Sequence, residues 1–358
     1  GPHVNPTGAP FGGRLRCGRM EAAAPCAIAV SLQAQAVRTP DSAAVWDRRR
    51  SLTYAELDDA VGRLAARLAT RRDSLGECGV LPIIAGRDVG SVVAIHAALR
   101  AGIALAPLDA ILPPGAIGSV LRRIDDPRVA IVSDMRHASL LPAEVSSLPA
   151  FVSGGESLLP VPVIDGPARI VFTSGSTGVP KGVVMSWATI NRYANDPILR
   201  LVPTPRDFRA LAISPFGFAA GFVAALRVAL GAPASIVDPN AHDAVELLEL
   251  CDREQLTVMA VVPSLLASVL DRWPDGRRLE TIRIVRTIGE PLDWSTVAML
   301  RRFLSPEAVV LNSYGASELG GVAVDLVIDS TMPLGTGRVP LGRPSCDADV
   351  RLDQVFGD

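Results

Sequence analysis

The sequence predicts an α/β protein built from two doubly wound sheet lobes. Three observations carry that reading. From Ala27 onward, short apolar runs of strand length alternate with helical stretches of ten or more residues, the pattern of parallel strands joined by helical crossovers. Hydrophobic residues make up 49% of the chain and charged residues 20%, enough to fill a large core and too apolar for disorder. The length of 358 residues accommodates two domains of ordinary size.

Each element follows from local pattern. Val30 to Ala36 and Tyr54 to Ala69 carry apolar residues at helical spacing, and Thr53 with Glu56 forms a capping-box pair ahead of the second. Val80 to Ala85 reads as a strand, Val89 to Ala101 as a helix stopped by Gly102, and Ile103 to Pro107 as the next strand. A helix over Pro114 to Ile124 and a strand over Val129 to Val132 complete the first lobe. The Ser-, Gly- and Pro-rich stretch Ser146 to Gly166 marks the expected boundary. Beyond it, strands are expected at Arg169 to Thr173, Gly182 to Met185, Arg209 to Ile213, Ala234 to Val237, Val258 to Val261, Ile282 to Thr287 and Val309 to Leu311. A helix is expected from about Ser186, others fall between the later strands, and Gly- and Pro-rich strand-like segments follow Gly321. The domain reading is therefore a leader over 1–26, a first lobe over 27–150, a second over 151–328 and a further segment over 329–358.

Composition excludes several function classes. A net charge of −2 offers no electrostatic footprint for nucleic acid or an anionic membrane, and 4% aromatic residues give no stacking platform. No charge-free apolar run reaches the ~18 residues a membrane span needs. The five cysteines are scattered, with no CxxC or Cys/His cluster, and read as reduced thiols of a cytoplasmic protein. The first 18 residues are rich in Gly and Pro without an apolar segment, and read as a tag remnant and flexible leader.

One stretch carries chemistry. Thr173-Ser174-Gly175-Ser176-Thr177-Gly178-Val179-Pro180-Lys181-Gly182 follows a predicted strand and combines three glycines, four hydroxyls and a lysine. Glycines let backbone N–H groups approach an anion, hydroxyls add donors and the ammonium adds charge, which makes a polyphosphate cradle. A Walker A loop ends in Gly-Lys-Ser/Thr; here Pro180 precedes Lys181 and Gly182 follows it, so that reading fails.

The stretch resembles the signature loop of the adenylate-forming superfamily, which includes acyl-CoA synthetases, luciferases and nonribosomal-peptide-synthetase adenylation domains. Other segments resemble that family in its order. They are Leu52-Thr53-Tyr54-Ala55-Glu56-Leu57, the run from Leu99 to Asp109, Asn312-Ser313-Tyr314-Gly315-Ala316-Ser317-Glu318, and Leu341-Gly342-Arg343-Pro344. The likeness spans about Ala27 to Leu352. It implies the two sheet lobes of the family's large N-terminal domain, with the start of a small β-barrel and with the small C-terminal domain missing. In the family, that domain supplies a lysine that bridges carboxylate and α-phosphate, so the isolated core is expected to turn over slowly. Phe356-Gly357-Asp358 follows Pro344 too closely to match the family's ribose-binding motif.

The resemblance implies ATP and Mg²⁺ as cofactors, a small carboxylic acid as substrate, and coenzyme A or a carrier protein as thiol acceptor. It assigns the phosphates to Thr173, Ser174, Gly175, Ser176, Thr177, Gly178 and Lys181. Gly289, Glu290, Asn312, Ser313, Tyr314, Gly315 and Ser317 fall to the rest of the nucleotide site, with Tyr314 against adenine. Lys181, Ser317 and Glu318 take the catalytic roles, and Glu318 holds the metal. Aligning through Leu230-Gly231-Ala232 gives an acid pocket of Phe218, Ala219, Phe222, Ala260, Arg286, Ile288, Ser313, Gly321 and Val322.

Two departures bear on substrate. Phe218 stands where adenylation domains for α-amino acids carry an Asp against the ammonium, so a substrate of that class is not expected. Arg286 is the pocket's one charged residue; it either takes a second anionic group of the substrate or turns to solvent or to an internal acidic partner. Trp187 follows the loop without an assigned role. A competing class is a non-catalytic nucleotide-binding or carrier-docking relative, against which the retained Lys181 and Glu318 argue.

Overall fold

The computed structural model describes residues 24–163, 166–173, 181–273, 277–319 and 321–344. The chain divides into two compact units, Gly1–Asp238 and Pro239–Asp358.

The first unit opens with β1 (Ala24–Pro25), α1 (Ala27–Arg38), β2 (Ala43–Trp46), β3 (Ser51–Thr53) and α2 (Tyr54–Ala69). Next come β4 (Val80–Ala85), α3 (Val89–Arg100), β5 (Ala104–Asp109), α4 (Pro114–Arg123), β6 (Val129–Val132) and β7 (Ser146–Pro149). It continues with β8 (Pro162–Val163), β9 (Pro167–Thr173), β10 (Lys181–Ser186), α5 (Trp187–Arg192), β11 (Ala210–Ala212), α6 (Ala219–Ala229) and β12 (Ala234–Ile236).

Six of these strands form a sheet in the order β10-β9-β5-β4-β6-β7, parallel except for the antiparallel edge strand β10. Four others run β11-β12-β2-β3. This arrangement cuts across the division expected at residues 146–166. Within that stretch β7 pairs in parallel with β6, and just beyond it β9 joins the same six-stranded sheet beside β5, through Leu105 and Arg169. Polar composition marked a surface segment, but β7 is an edge strand and edge strands tolerate Ser and Pro. The expected leader also ends sooner: Ala24 and Pro25 pair with Val163 and Pro162, and Cys26 is buried. The rest of it lies outside the described residues.

Local chemistry explains the helices. The Thr53 N–H donates to Glu56 Oε2 at 2.9 Å and the Glu56 N–H to Thr53 Oγ1 at 3.3 Å, so the capping box opens α2 where expected. Every residue of α3 is buried, which suits a helix apolar on all sides. It ends in a Schellman turn: Ile103 N–H donates to Ala98 O and Gly102 N–H to Leu99 O, with Gly102 at φ +61. His96, inside α3, meets Ala225 O through Nε2 at 2.9 Å. Burial holds it neutral by pushing its pKa down to about 4.

The second unit contains α7 (Ala244–Arg253), β13 (Val258–Val261), α8 (Pro263–Leu270), β14 (Ile284–Ile288) and α9 (Trp294–Phe303). β15 (Val309–Ala316), β16 (Gly321–Ile328) and β17 (Arg343–Pro344) complete it. Its strands run β17-β16-β15-β14-β13, with β13, β14 and β15 parallel and β16 and β17 antiparallel. Leu341 to Pro344, expected to begin a small barrel, supplies β17 of this sheet; residues 345–358 lie outside the described residues.

Among the described residues no helix is long and apolar enough to cross a membrane. Cys26, Cys78 and Cys251 are free thiols.

Candidate functional site

In the first unit the geometry centres on the β9/β10 hairpin. β9 runs parallel to β5 and reaches the carboxyl edge of the sheet at Thr173, the edge where open α/β sheets take ligands. β10 returns antiparallel with Lys181 opposite Thr173 and Gly182 opposite Phe172. The two strands therefore bring both ends of the Gly/Ser/Thr stretch together; Ser174, Gly175, Ser176, Thr177 and Gly178 themselves lie outside the described residues. Lys181 is exposed, and among the described residues its ammonium has no ion pair or hydrogen bond. It is also the single lysine of the chain, every other basic side chain besides histidine being arginine. An exposed ammonium without a partner among the described residues fits a polyphosphate.

A second feature of this unit was missed. Arg169, on β9, is fully buried. Its Nη2 donates to Gly217 O at 2.8 Å and Phe216 O at 3.3 Å, and its guanidinium lies 3.9 Å from the centroid of the Phe222 ring. Burial pushes its pKa down to about 9. Carbonyl dipoles and an aromatic face hold the cation and tie down the turn before α6. Of the assigned pocket residues, Phe218 is the N-cap of α6 and 59% exposed, Ala219 is partly exposed, and Phe222 has no accessible surface. Phe222 is thus a core residue under Arg169, and it meets an acid only if its surroundings move. The available signal was a lone arginine in the apolar run Ala168 to Phe172.

In the second unit, strand register collects the assigned residues. Ala260 pairs with Arg286, Arg286 with Leu311, and Ile288 with Ser313, so these side chains share one face near the carboxyl ends of β13 and β14. Ala260, Ile288, Gly321 and Val322 are partly exposed. Arg286 is not turned to solvent. Its Nε donates to Ser313 Oγ at 2.9 Å, Ser313 Oγ donates to Asp325 Oδ1 at 2.5 Å, and Arg286 Nη2 stands 3.7 Å from the same oxygen. Of the fates open to Arg286, the internal acidic partner is the one observed.

The β15/β16 hairpin carries the remaining nucleotide candidates. Tyr314 is 48% exposed on β15, and Ser317 and Glu318 form a short turn at the tip. Gly315 sits at a register shift, where a Cβ would lie 2.4 Å from Gly321 O, so only glycine fits. The exposed Glu318 carboxylate has no partner among the described residues, as an oxygen ligand for a hard cation requires. Two other candidates are engaged structurally. Asn312 is buried and donates through Nδ2 to Pro340 O at 2.9 Å, and Glu290 Oε2 accepts from the Ser264 N–H of α8 at 3.0 Å. Gly289 takes φ +95 between β14 and Glu290. Trp187 opens α5 as a buried residue, its N–H donating to Gly166 O at 3.0 Å.

Comparison with known proteins decides the family. The model of the AMP-binding enzyme family matches residues 32–355. The chain belongs to the AMP-binding enzymes. Among its curated relatives, tyrocidine synthase 3 of Brevibacillus parabrevis is 30% identical over 308 residues, covering 84% of this chain and 5% of that protein. Zwittermicin A synthase ZmaJ of Bacillus cereus is 27% identical over 344 residues, covering 90% of this chain and 63% of the relative. The chain thus spans less than two thirds of either. A crystal structure of the nonribosomal peptide synthetase FmoA3 in an AMPPNP-bound form superposes with a TM-score of 0.79 at 27% identity, covering 90% of this chain and 35% of that one. This AMP-binding enzyme is accordingly similar to nonribosomal peptide synthetases over the stretch it shares with them, and it has a mixed α/β fold like that of the FmoA3 structure.

Proposed function

We propose that this domain activates a carboxylic acid with ATP, forming an acyl-adenylate and pyrophosphate, and that the acyl group then passes to a carrier-protein or coenzyme A thiol in natural-product biosynthesis. The observation that carries this reading is Lys181, exposed opposite Thr173 on the β9/β10 hairpin and without a partner among the described residues, in a chain of the AMP-binding family. A carboxylate oxygen attacks the α-phosphorus and pyrophosphate leaves. Because both reactants are anions, positioning and charge neutralisation do most of the catalysis. Lys181 and Thr173, with the stretch between them, hold the leaving pyrophosphate; Ser317 donates to the α-phosphate; Tyr314 offers a ring face to adenine. Glu318 would hold Mg²⁺, which when bound offsets phosphate charge.

Phe218 supports a substrate other than an ordinary α-amino acid. At that position an ammonium would face an aromatic ring in place of a carboxylate and would lack the counter-charge that pairs with it. The test is ATP–pyrophosphate exchange over amino, aryl, hydroxy and aliphatic acids. Acid-dependent exchange with a non-amino acid is the expected result. ATP binding without exchange for any acid would favour a nucleotide-binding relative that has lost its chemistry, and strong exchange with a proteinogenic α-amino acid would remove the substrate reading.

A further inference from the structure

We propose that Asp325 is a specificity-determining residue of the acid pocket: it neutralises Arg286 and thereby excludes acids that carry a second carboxylate. This rests on the acid-activating reading above and on the assignment of Arg286 and Ser313 to the pocket.

Arg286 alone would make the pocket a receptor for dicarboxylic acids, since a guanidinium is the natural partner of a carboxylate. Strand register places a counter-charge beside it. Ser313 lies two residues beyond Leu311, the partner of Arg286, and directly opposite Asp325. The three side chains form a diagonal across β14, β15 and β16 in which Ser313 Oγ accepts from Arg286 and donates to Asp325. The Arg286 and Asp325 side chains are only 10% and 24% exposed, so screening by water and salt is weak and their charges offset one another locally. Arg343 is opposite Asp325 on the other side, on β17, but it is exposed and among the described residues makes no ion pair with it.

A second substrate carboxylate approaching Arg286 therefore meets Asp325 on the same guanidinium, and two carboxylates compete for one cation. An acid with an uncharged side group meets a pocket wall without net charge. Nothing in the run Gly321-Val322-Ala323-Val324-Asp325-Leu326-Val327-Ile328 marked Asp325 except that it is the lone carboxylate of an apolar strand.

The experiment pairs each monocarboxylic acid with the same skeleton bearing a second carboxylate, such as valeric with glutaric acid and benzoic with isophthalic acid. ATP–pyrophosphate exchange is then measured for wild type, Asp325→Asn and the double variant Asp325→Asn/Arg286→Met. The wild type is expected to favour the monocarboxylic member at least tenfold. Asp325→Asn, which keeps a hydrogen-bonding partner for Ser313, is expected to move the ratio at least tenfold toward the dicarboxylic member, and the double variant to abolish that shift. Thermal unfolding gives an independent readout: Asp325→Asn lowers Tm and the double variant recovers at least half of the loss. An unchanged ratio in Asp325→Asn, a shift that survives removal of Arg286, a wild type that already prefers dicarboxylic acids, or an unchanged Tm in Asp325→Asn would each overturn the proposal. These outcomes require exchange by the wild type. A chain without exchange for any acid removes the activation reading itself, and this proposal with it.

Discussion

Replacing Lys181 by methionine tests the nucleotide site with little structural cost. Lys181 begins an edge strand, is exposed, and among the described residues engages no acidic group, so losing its charge breaks no ion pair. Substitutions at such positions change stability by about 0.5 kcal/mol or less, a Tm shift of roughly 2 °C or less for a domain of this size. The cost falls on the ligand. A charge-assisted contact to phosphate contributes about 1.5–3 kcal/mol, so Lys181→Met should raise the Kd for ATP roughly 10- to 150-fold. Isothermal calorimetry with ATP, alongside thermal unfolding of the apo protein, separates the two effects. Unchanged affinity, or a Tm drop large enough to explain weak binding by loss of fold, would refute the reasoning. Because Lys181 is the chain's single lysine, an amine-reactive acylating reagent offers a check without mutation. Beyond the chain's N-terminus it should modify this residue alone, and ATP should protect it.

Other consequences concern the scaffold. Gly315→Ala forces a Cβ to within 2.4 Å of Gly321 O and should cost about 1–3 kcal/mol; it is expected to lower Tm and weaken ATP binding together, since the same hairpin carries Tyr314 and Glu318. The Asp196–Arg227 pair, 2.8 Å apart with both side chains 8% exposed, should make Asp196→Ala destabilising by about 3–5 kcal/mol in urea unfolding. His96 predicts an acid limb. Its folded pKa of about 4 lies below the ordinary value, so the unfolded state takes up protons first as pH falls. Stability is full above about pH 6.5 and declines toward pH 4 by about 3 kcal/mol, and His96→Gln should flatten that part of the profile.

Much of this was legible in the sequence because the signals are local. Thr53 and Glu56 specify a helix start, Gly102 a helix stop, and Val129 to Val132 a buried strand, and each stands where the pattern put it. The β-hairpin of β2 and β3 was not legible, since its strands of four and three residues are too short for a periodic pattern. Sheet membership was not legible either: β7 and β9 join the earlier strands through long-range pairing that leaves no mark on composition. The motifs pointed to Thr173 and Lys181, which stand opposite one another on β9 and β10, and, in the second unit, to Tyr314 and Glu318 on the β15/β16 hairpin. They could not disclose that Asn312 and Glu290 are engaged in backbone support, nor that Asp325 and Arg169 stand behind the assigned pocket residues. Those relations depend on register between strands far apart in the chain.

The measurement that tests the central claim most directly follows an oxygen atom. A substrate acid found by exchange is labelled with ¹⁸O in its carboxylate and incubated with ATP, this protein and hydroxylamine as acceptor. If the carboxylate attacks the α-phosphorus, the released AMP carries one ¹⁸O and pyrophosphate carries none. Unlabelled AMP, or label appearing in orthophosphate with ADP as the other product, would contradict acyl adenylation.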